Sequence, residues 1–274
     1  MKLIATADIH ANKNRKDDVV KLLNIIKEKA IENEVDAVTI SGDFWDSAIT
    51  NTQPFAEIIK AFKELVDTTT VIMITGTPSH DVFNSYSIFE SLGAVVYEKA
   101  GLYKFSNGIK IYCLPEPRRT DFIRRSSKET SKAINDYLWE CCKNAKKDNA
   151  DIMLFHGEIA GASMDNGVIV NTDTMLTKEM IELSGVKYVL AGHIHSPQTI
   201  RKNSVYLGSP IPVTFGETHS PKLTLVNITD KITLSDITLP FAKNIMLHKI
   251  AKSKPQTGIY KLYNPFIFTT SYHI

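Results

Sequence analysis

The stretch KLIATADIH, residues 2–10, decides how this chain is read. Its first five residues form an apolar run too short for a helix, so Lys2–Thr6 reads as a buried strand. Asp8 and His10 follow at once, two polar groups delivered to the end of that strand. The same order recurs down the chain. Residues 36–40 (DAVTI) read as a strand and lead into SGDFWD, with Asp43 and Asp46; residues 71–75 lead into GTPSHD, with Ser79, His80 and Asp81. Residues 152–155 end in FHGE with His156, and residues 188–190 end in GHIHSP with His193 and His195. Five of the eight histidines fall in these loops. In open α/β sheets ligands gather at the carboxyl ends of strands, so the loops are expected to meet in one site.

Between the strands lie helical patterns. Val19, Leu22, Leu23, Ile26 and Ala30 recur at helical spacing over residues 17–33. Phe55, Ile58, Ile59, Phe62 and Val66 form a second stripe, with Pro54 suited to a first turn. Further helices are expected over residues 129–146 and 177–183, and a further strand over 108–114. Residues 205–207, 222–228 and 232–238 alternate, and Thr229-Asp230-Lys231 reads as a hairpin loop. The βαβαβ start followed by this β-rich end predicts an α/β fold, a four-layer α/β/β/α sandwich with two mixed sheets.

Imidazole and carboxylate together suit divalent transition metals. Asp8-x-His10 and His193-x-His195 each place two ligands on one segment, on the same side if the backbone is extended. Gly42, Gly157 and Gly192 let backbone approach closely beside them. Asp43 is placed to bridge two ions, which can polarise a phosphoryl oxygen and activate water. A remaining histidine can then protonate the leaving oxygen. Each motif alone is weak; their order and their common position at strand ends argue for a dinuclear metal site.

The pattern resembles the calcineurin-like metallophosphoesterase superfamily, through DxH, GDxxD, a glycine loop ending in His-Asp, a lone histidine and GHxH. Within it, GDFWD, the spacing from GHIH to YLGSPIPVTFGE (residues 206–217) and the hairpin ending in ITLPF resemble the nuclease subunit of SbcCD-type DNA repair complexes. The resemblance covers about residues 1–240 and implies that Asp8, His10, Asp43 and His195 hold one ion. Asp43, His156 and His193 would hold the second, and His80 would act on the leaving group. It further implies Mn²⁺ as the metal, cleavage of DNA ends or hairpins, a homodimer formed through N-terminal helices, and an SMC-type ATPase partner. Asp46 is expected either to orient a ligand or to contact substrate, and Asp81 to accept a hydrogen bond from a metal-bound imidazole.

Two departures stand out. The family places Asn directly before the motif histidine, as a ligand of the second ion. Here Gly76-Thr77-Pro78-Ser79-His80 is two residues longer and holds no Asn. A hydroxyl from Ser79 or Thr77, or a water, is left to fill the position, so weaker binding of the second ion is expected. The other departure is the end: residues 241–274 are too few for the usual capping domain and are expected to be its remnant or its truncated start.

Bulk properties agree with an enzyme of this kind without specifying it. At 274 residues, 43% hydrophobic and 23% charged, the chain has ordinary globular composition. A net charge of +2 does not argue for nucleic acid. Arg118, Arg119, Arg124 and Arg125 could contact phosphates, or form a solvated loop. Phe44 and Trp45 are expected to pack beneath the site rather than stack on bases. Cys113, Cys141 and Cys142 offer neither a disulfide framework nor a CxxC pair, and read as reduced thiols of a cytoplasmic protein. No apolar run is long enough to span a membrane, and the start does not read as a signal peptide. Besides a DNA nuclease, the same site fits a small-molecule or cyclic-nucleotide phosphodiesterase, or a weakly active scaffold subunit of an ATPase complex.

Overall fold

The computed structural model describes residues 1–47, 55–82, 84–164, 167–214, 217 and 219–241. Pro54 and almost all of the C-terminal segment expected over 241–274 lie outside the described residues. The strands are β1 (Lys2–Thr6), β2 (Ala37–Ser41), β3 (Thr70–Ile74), β4 (Val95–Tyr97), β5 (Gly101–Lys104), β6 (Lys110–Leu114), β7 (Ile152–His156), β8 (Tyr188–Gly192), β9 (Gln198–Arg201), β10 (Ser204–Tyr206), β11 (Lys222–Ile228) and β12 (Ile232–Thr238). The helices are α1 (Lys16–Glu32), α2 (Ala56–Thr68), α3 (Ser87–Ser91), α4 (Ser127–Lys147) and α5 (Lys178–Ser184).

Two six-stranded mixed sheets result, in the orders β12-β11-β1-β2-β3-β4 and β5-β6-β7-β8-β10-β9. Each has four parallel strands at its heart, β1 to β4 in the first and β6, β7, β8 and β10 in the second. Antiparallel strands complete each sheet. Period-two alternation explains the layers. Ile4, Val38, Ile40, Val71 and Met73 face the apolar stripes of α1 and α2. Leu3, Ala5, Ala37, Ile72 and Ile74 face the other sheet, meeting Ile111, Cys113, Ile152, Leu154 and Leu190. Tyr112, Leu114, Met153, Phe155, Val189 and Ala191 then cover α4 and α5. Strands buried on both faces read as unbroken apolar runs, as these do.

The stripe on α1 (Val19, Leu22, Leu23, Ile26, Ala30) is buried within the chain's own core. All three cysteines are buried free thiols. Among the described residues no helix is long and apolar enough to cross a membrane. The loops that matter follow from the topology: parallel neighbours release their carboxyl ends on the same side, so residues after β1, β2 and β3 face those after β6, β7 and β8.

Candidate metal centre

The loops after β1 and β2 continue the parallel ladder beyond the sheet. The backbone N–H groups of Asp8, His10 and Ala11 donate to the carbonyls of Gly42 (3.1 Å), Asp43 (3.0 Å) and Phe44 (2.7 Å). Both segments are bent rather than extended. Asp8, His10 and Asp43 take φ of 53°, 50° and 50°, and His193 takes 107°. The same-side placement of Asp8 and His10 therefore comes from left-handed backbone, not from the strand alternation expected of the sequence. Such conformations cost on the order of 1–3 kcal/mol each for non-glycine residues and collect where function requires them.

Glycine is needed where the two sheets close on the site. A Cβ on Gly42, whose φ is +86°, would lie 2.2 Å from Nδ1 of His156, and one on Gly192 would lie 2.2 Å from the Ser41 carbonyl oxygen. That contact lets the His156 Nδ1–H donate to the Ser41 carbonyl at 2.7 Å, which turns Nε2 toward Asp43.

Two ligand clusters share one carboxylate. Asp8, His10 and His195 offer atoms within 4.8 Å of one another, and His10 Nε2 and His195 Nε2 are 3.0 Å apart. Asp43 Oδ2 lies 3.9 Å from His10 Nε2 on one side and 3.3 Å from His156 Nε2 on the other. The second cluster holds His156, His193 and a residue the sequence reading passed over, Glu116, whose Oε2 is 3.9 Å from His156 Nε2 and 3.8 Å from His193 Nδ1. Glu116 stands two residues beyond β6, between β5 and β7 in its sheet. The strand-end rule that found the other residues would have found it.

Ser79 is exposed. The hydroxyl in the cluster belongs to Thr77, whose Oγ1 is 3.0 Å from Asp43 Oδ2, 3.3 Å from Glu116 Oε2 and 3.3 Å from His156 Nε2. His80 joins His10 and Asp46 in a third group at the rim. Its Nδ1–H donates to the Asp46 carbonyl at 2.5 Å, and its ring meets His10 edge-on at 4.8 Å. The Asp46 carboxylate accepts from Asn12 Nδ2 at 3.1 Å and faces His10 Nδ1 at 3.6 Å, too far for a hydrogen bond. His10 and Asn12 hold its carboxyl below the usual range.

Asp81 does not serve an imidazole as expected. Its carboxylate accepts from the backbone N–H groups of Asp43 (2.8 Å), Gly76 (2.8 Å) and Trp45 (3.2 Å) and from the Tyr86 hydroxyl (2.6 Å). It thereby ties the β2 and β3 loops together. Burial and the Asp43 charge push its carboxyl up to about 6. The oxygen partner of His195 is instead Glu217, which is buried and accepts from His195 Nδ1–H at 2.8 Å and from the Val213 and Thr214 backbone. Burial alone would raise the Glu217 carboxyl, but these partners hold it below its ordinary value. Partners of this kind typically tune metal affinity by about 10- to 100-fold. Glu217→Gln should weaken ion binding at the His195 cluster by about that factor in calorimetry; an unchanged constant would contradict its orienting role.

Phe44 and Trp45 are buried in an aromatic cluster with Phe62 and Phe89, beneath the site as expected. The arginines divide. Arg118 donates to the Asp81 carbonyl at 2.9 Å, and Arg119 is held by Ser127 and Ser131 at the start of α4. Arg124 donates to the Ile123 carbonyl, and Arg124 and Arg125 are exposed.

The donor set fits divalent cations. Apart from burial, the groups acting most strongly on Asp8 and Asp43 are imidazoles and, for Asp8, the Asp43 carboxylate, not lysine or arginine. Burial pushes the His156 imidazolium down, but Asp43, Asp8 and Glu116 outweigh it and raise its pKa to about 10. Burial and the His156 charge lower His193 to about 4. A raised histidine contributes stability to the ion-free chain that is full below about pH 6.5 and is lost as pH rises toward its folded value. A metal ligand must be neutral, so loading the centre must displace the His156 proton and binding must tighten with pH through this window. Calorimetric titration near pH 7.5 in two buffers of different protonation enthalpy should show about one proton released from this group; no buffer dependence would contradict it.

A structure of a novel archaeal phosphodiesterase aligns with 87% of this chain and 100% of its own, at 12% identity and a TM-score of 0.46. A dimetal phosphatase from Danio rerio aligns with 86% of this chain and 95% of its own, at 11% identity and a TM-score of 0.47. Residues 1–197 match the family described as calcineurin-like phosphoesterase, a span that includes every residue of both ligand clusters. The chain belongs to the calcineurin-like phosphoesterase family.

Proposed function

We propose that the chain is a two-ion phosphodiesterase acting on DNA, the nuclease subunit of an SbcCD-type complex. The observation that carries the hydrolytic part is the position of Asp43 Oδ2 between His10 and His156, one carboxylate shared by two ligand clusters. The site would hold two divalent ions, Mn²⁺ in this reading, which when bound would supply polarisation of a phosphoryl oxygen and acidification of water. The chain's own residues do the rest. Asp8, His10 and His195 hold one position; His156 and His193 hold the other. His80, whose Nδ1–H is fixed by the Asp46 carbonyl, would be the group that protonates a leaving alkoxide. Support for DNA comes from the GDFWD motif, residues 206–217 and the β11–β12 hairpin, features shared with SbcCD-type nucleases. A homodimer and an SMC-type ATPase partner belong to the same proposal.

One observation favours a smaller substrate. A cleft of about 280 Å³ opens beside His193 and Glu116, lined also by Phe155, Glu158 and Thr172. Its lining carries two carboxylates, Glu116 and Glu158, against the one guanidinium of Arg119, a balance less hostile to a compact monoanion than to a polyanion. The experiment compares the Mn²⁺-loaded chain on bis-p-nitrophenyl phosphate, a DNA hairpin and a cyclic nucleotide. The proposal predicts cleavage of the first two and slower turnover of the third. Preference for the cyclic nucleotide would favour the small-substrate reading, and no turnover of any would leave a scaffold.

A further inference from the structure

The loop after β3 lacks the Asn that serves the second ion in the family, and the structure places an acidic group beside that position. Glu116 leaves β6 in the segment Leu114-Pro115-Glu116-Pro117. The flanking prolines each fix their own φ and restrict the residue before them, so the backbone that carries the carboxylate is stiff. Its Oε2 faces three groups of the second cluster: Thr77 Oγ1 at 3.3 Å, His193 Nδ1 at 3.8 Å and His156 Nε2 at 3.9 Å. Its side chain is 25% exposed, at the edge between the cluster and the open cleft. Thr77 Oγ1 has two carboxylates and an imidazole nitrogen around it and one proton to give. The Asp43 and Glu116 carboxylates thus gather around one hydroxyl proton and the His156 imidazolium, and loss of that imidazolium proton would leave the space to a cation.

We propose that Glu116 is the ligand that replaces the absent Asn at the second ion, with the Thr77 hydroxyl holding its carboxylate in position. An anionic oxygen is a stronger partner for a hard divalent cation than a neutral hydroxyl. The second ion is therefore held firmly, not weakly as the loop sequence suggests. The proposal rests on the two-ion reading of the site and concerns ion binding alone, so it can be tested without substrate.

The experiment is calorimetric titration of the full chain and of Glu116→Gln with Mn²⁺, with electron paramagnetic resonance of the loaded forms. The wild type should take up two ions and show the spectrum of a spin-coupled pair. Glu116→Gln should keep the step assigned to Asp8, His10 and His195, lose at least tenfold in the other, and give a mononuclear six-line spectrum at two equivalents. The retained step reports that the variant is folded. In the Glu116→Gln background, Thr77→Asn should recover part of the coupled signal. Two ions bound by Glu116→Gln with wild-type constants would overturn the role of Glu116 and leave the two-ion reading intact. Equal weakening of both steps would also overturn it. A wild type that binds one ion would overturn both. A wild type that binds two and hydrolyses no phosphodiester would overturn the catalytic reading alone.

Discussion

Asp43→Asn should reduce Mn²⁺-dependent hydrolysis of bis-p-nitrophenyl phosphate by on the order of 10³-fold, about 4 kcal/mol of transition-state stabilisation. The side chain is nearly isosteric, so the fold should persist and the loss should be chemical. Asp43 Oδ2 faces a histidine of each cluster, His10 at 3.9 Å and His156 at 3.3 Å. An amide oxygen carries no full charge and cannot serve two cations equally. The same carboxylate accepts from the Thr77 backbone N–H at 2.6 Å, so it also sets the loop that carries His80. Both calorimetric steps should weaken together, unlike the single step lost in Glu116→Gln. Activity within tenfold of wild type would remove Asp43 from the shared position.

Asp81→Ala should be the most damaging change to stability near the site. Four donors converge on that carboxylate: three backbone N–H groups from two loops and one buried phenol. Each buried donor left without an acceptor costs about 1–3 kcal/mol, offset in part by relief of the charge's own desolvation. A net loss on the order of 3–5 kcal/mol follows, close to what breaking other buried charged contacts costs. For a chain of this size that is a fall of about 6–20 °C in Tm. The ion-free protein should show it in full, because the loops are tied whether or not cations are present. Tyr86→Phe removes one donor and should cost far less, about 1–2 kcal/mol. An Asp81→Ala protein that melts with the wild type would mean the loops are held by something else.

Most of the architecture could be read from hydrophobic spacing. β1, β11 and β12 fall at the expected residues, and the 229–231 turn joins the last two. α1 and α4 begin and end within about two residues of expectation. The strands the sequence did not signal are β4, β5 and β9, three or four residues each and half-buried, too short for a period to register. The site was legible where a polar residue follows a strong strand. Glu116 obeys that rule after β6, but with prolines on both sides and no histidine beside it the segment carries no ligand motif. The sequence left Ser79 and Thr77 equally eligible; the turn after Gly76 exposes Ser79 and brings the Thr77 hydroxyl to Asp43, Glu116 and His156. The true partners of Asp81 and Glu217 lie beyond the sequence, because tertiary contact brings backbone N–H groups to supply three of the four donors to Asp81 and two of the four to Glu217. The left-handed turns at Asp8, His10 and Asp43 were equally hidden: Asp and His are enriched at positive φ, but too weakly to mark a single position.

On the proposed reading, two clusters from both sheets make one dinuclear centre around Asp43. Anomalous diffraction from a crystal soaked in Mn²⁺ tests it most directly. Two peaks about 3.5–4 Å apart are expected, one beside Asp8, His10 and His195 and one beside His156, His193 and Glu116, with Asp43 between them. A single peak, or two peaks that do not share Asp43, would contradict it.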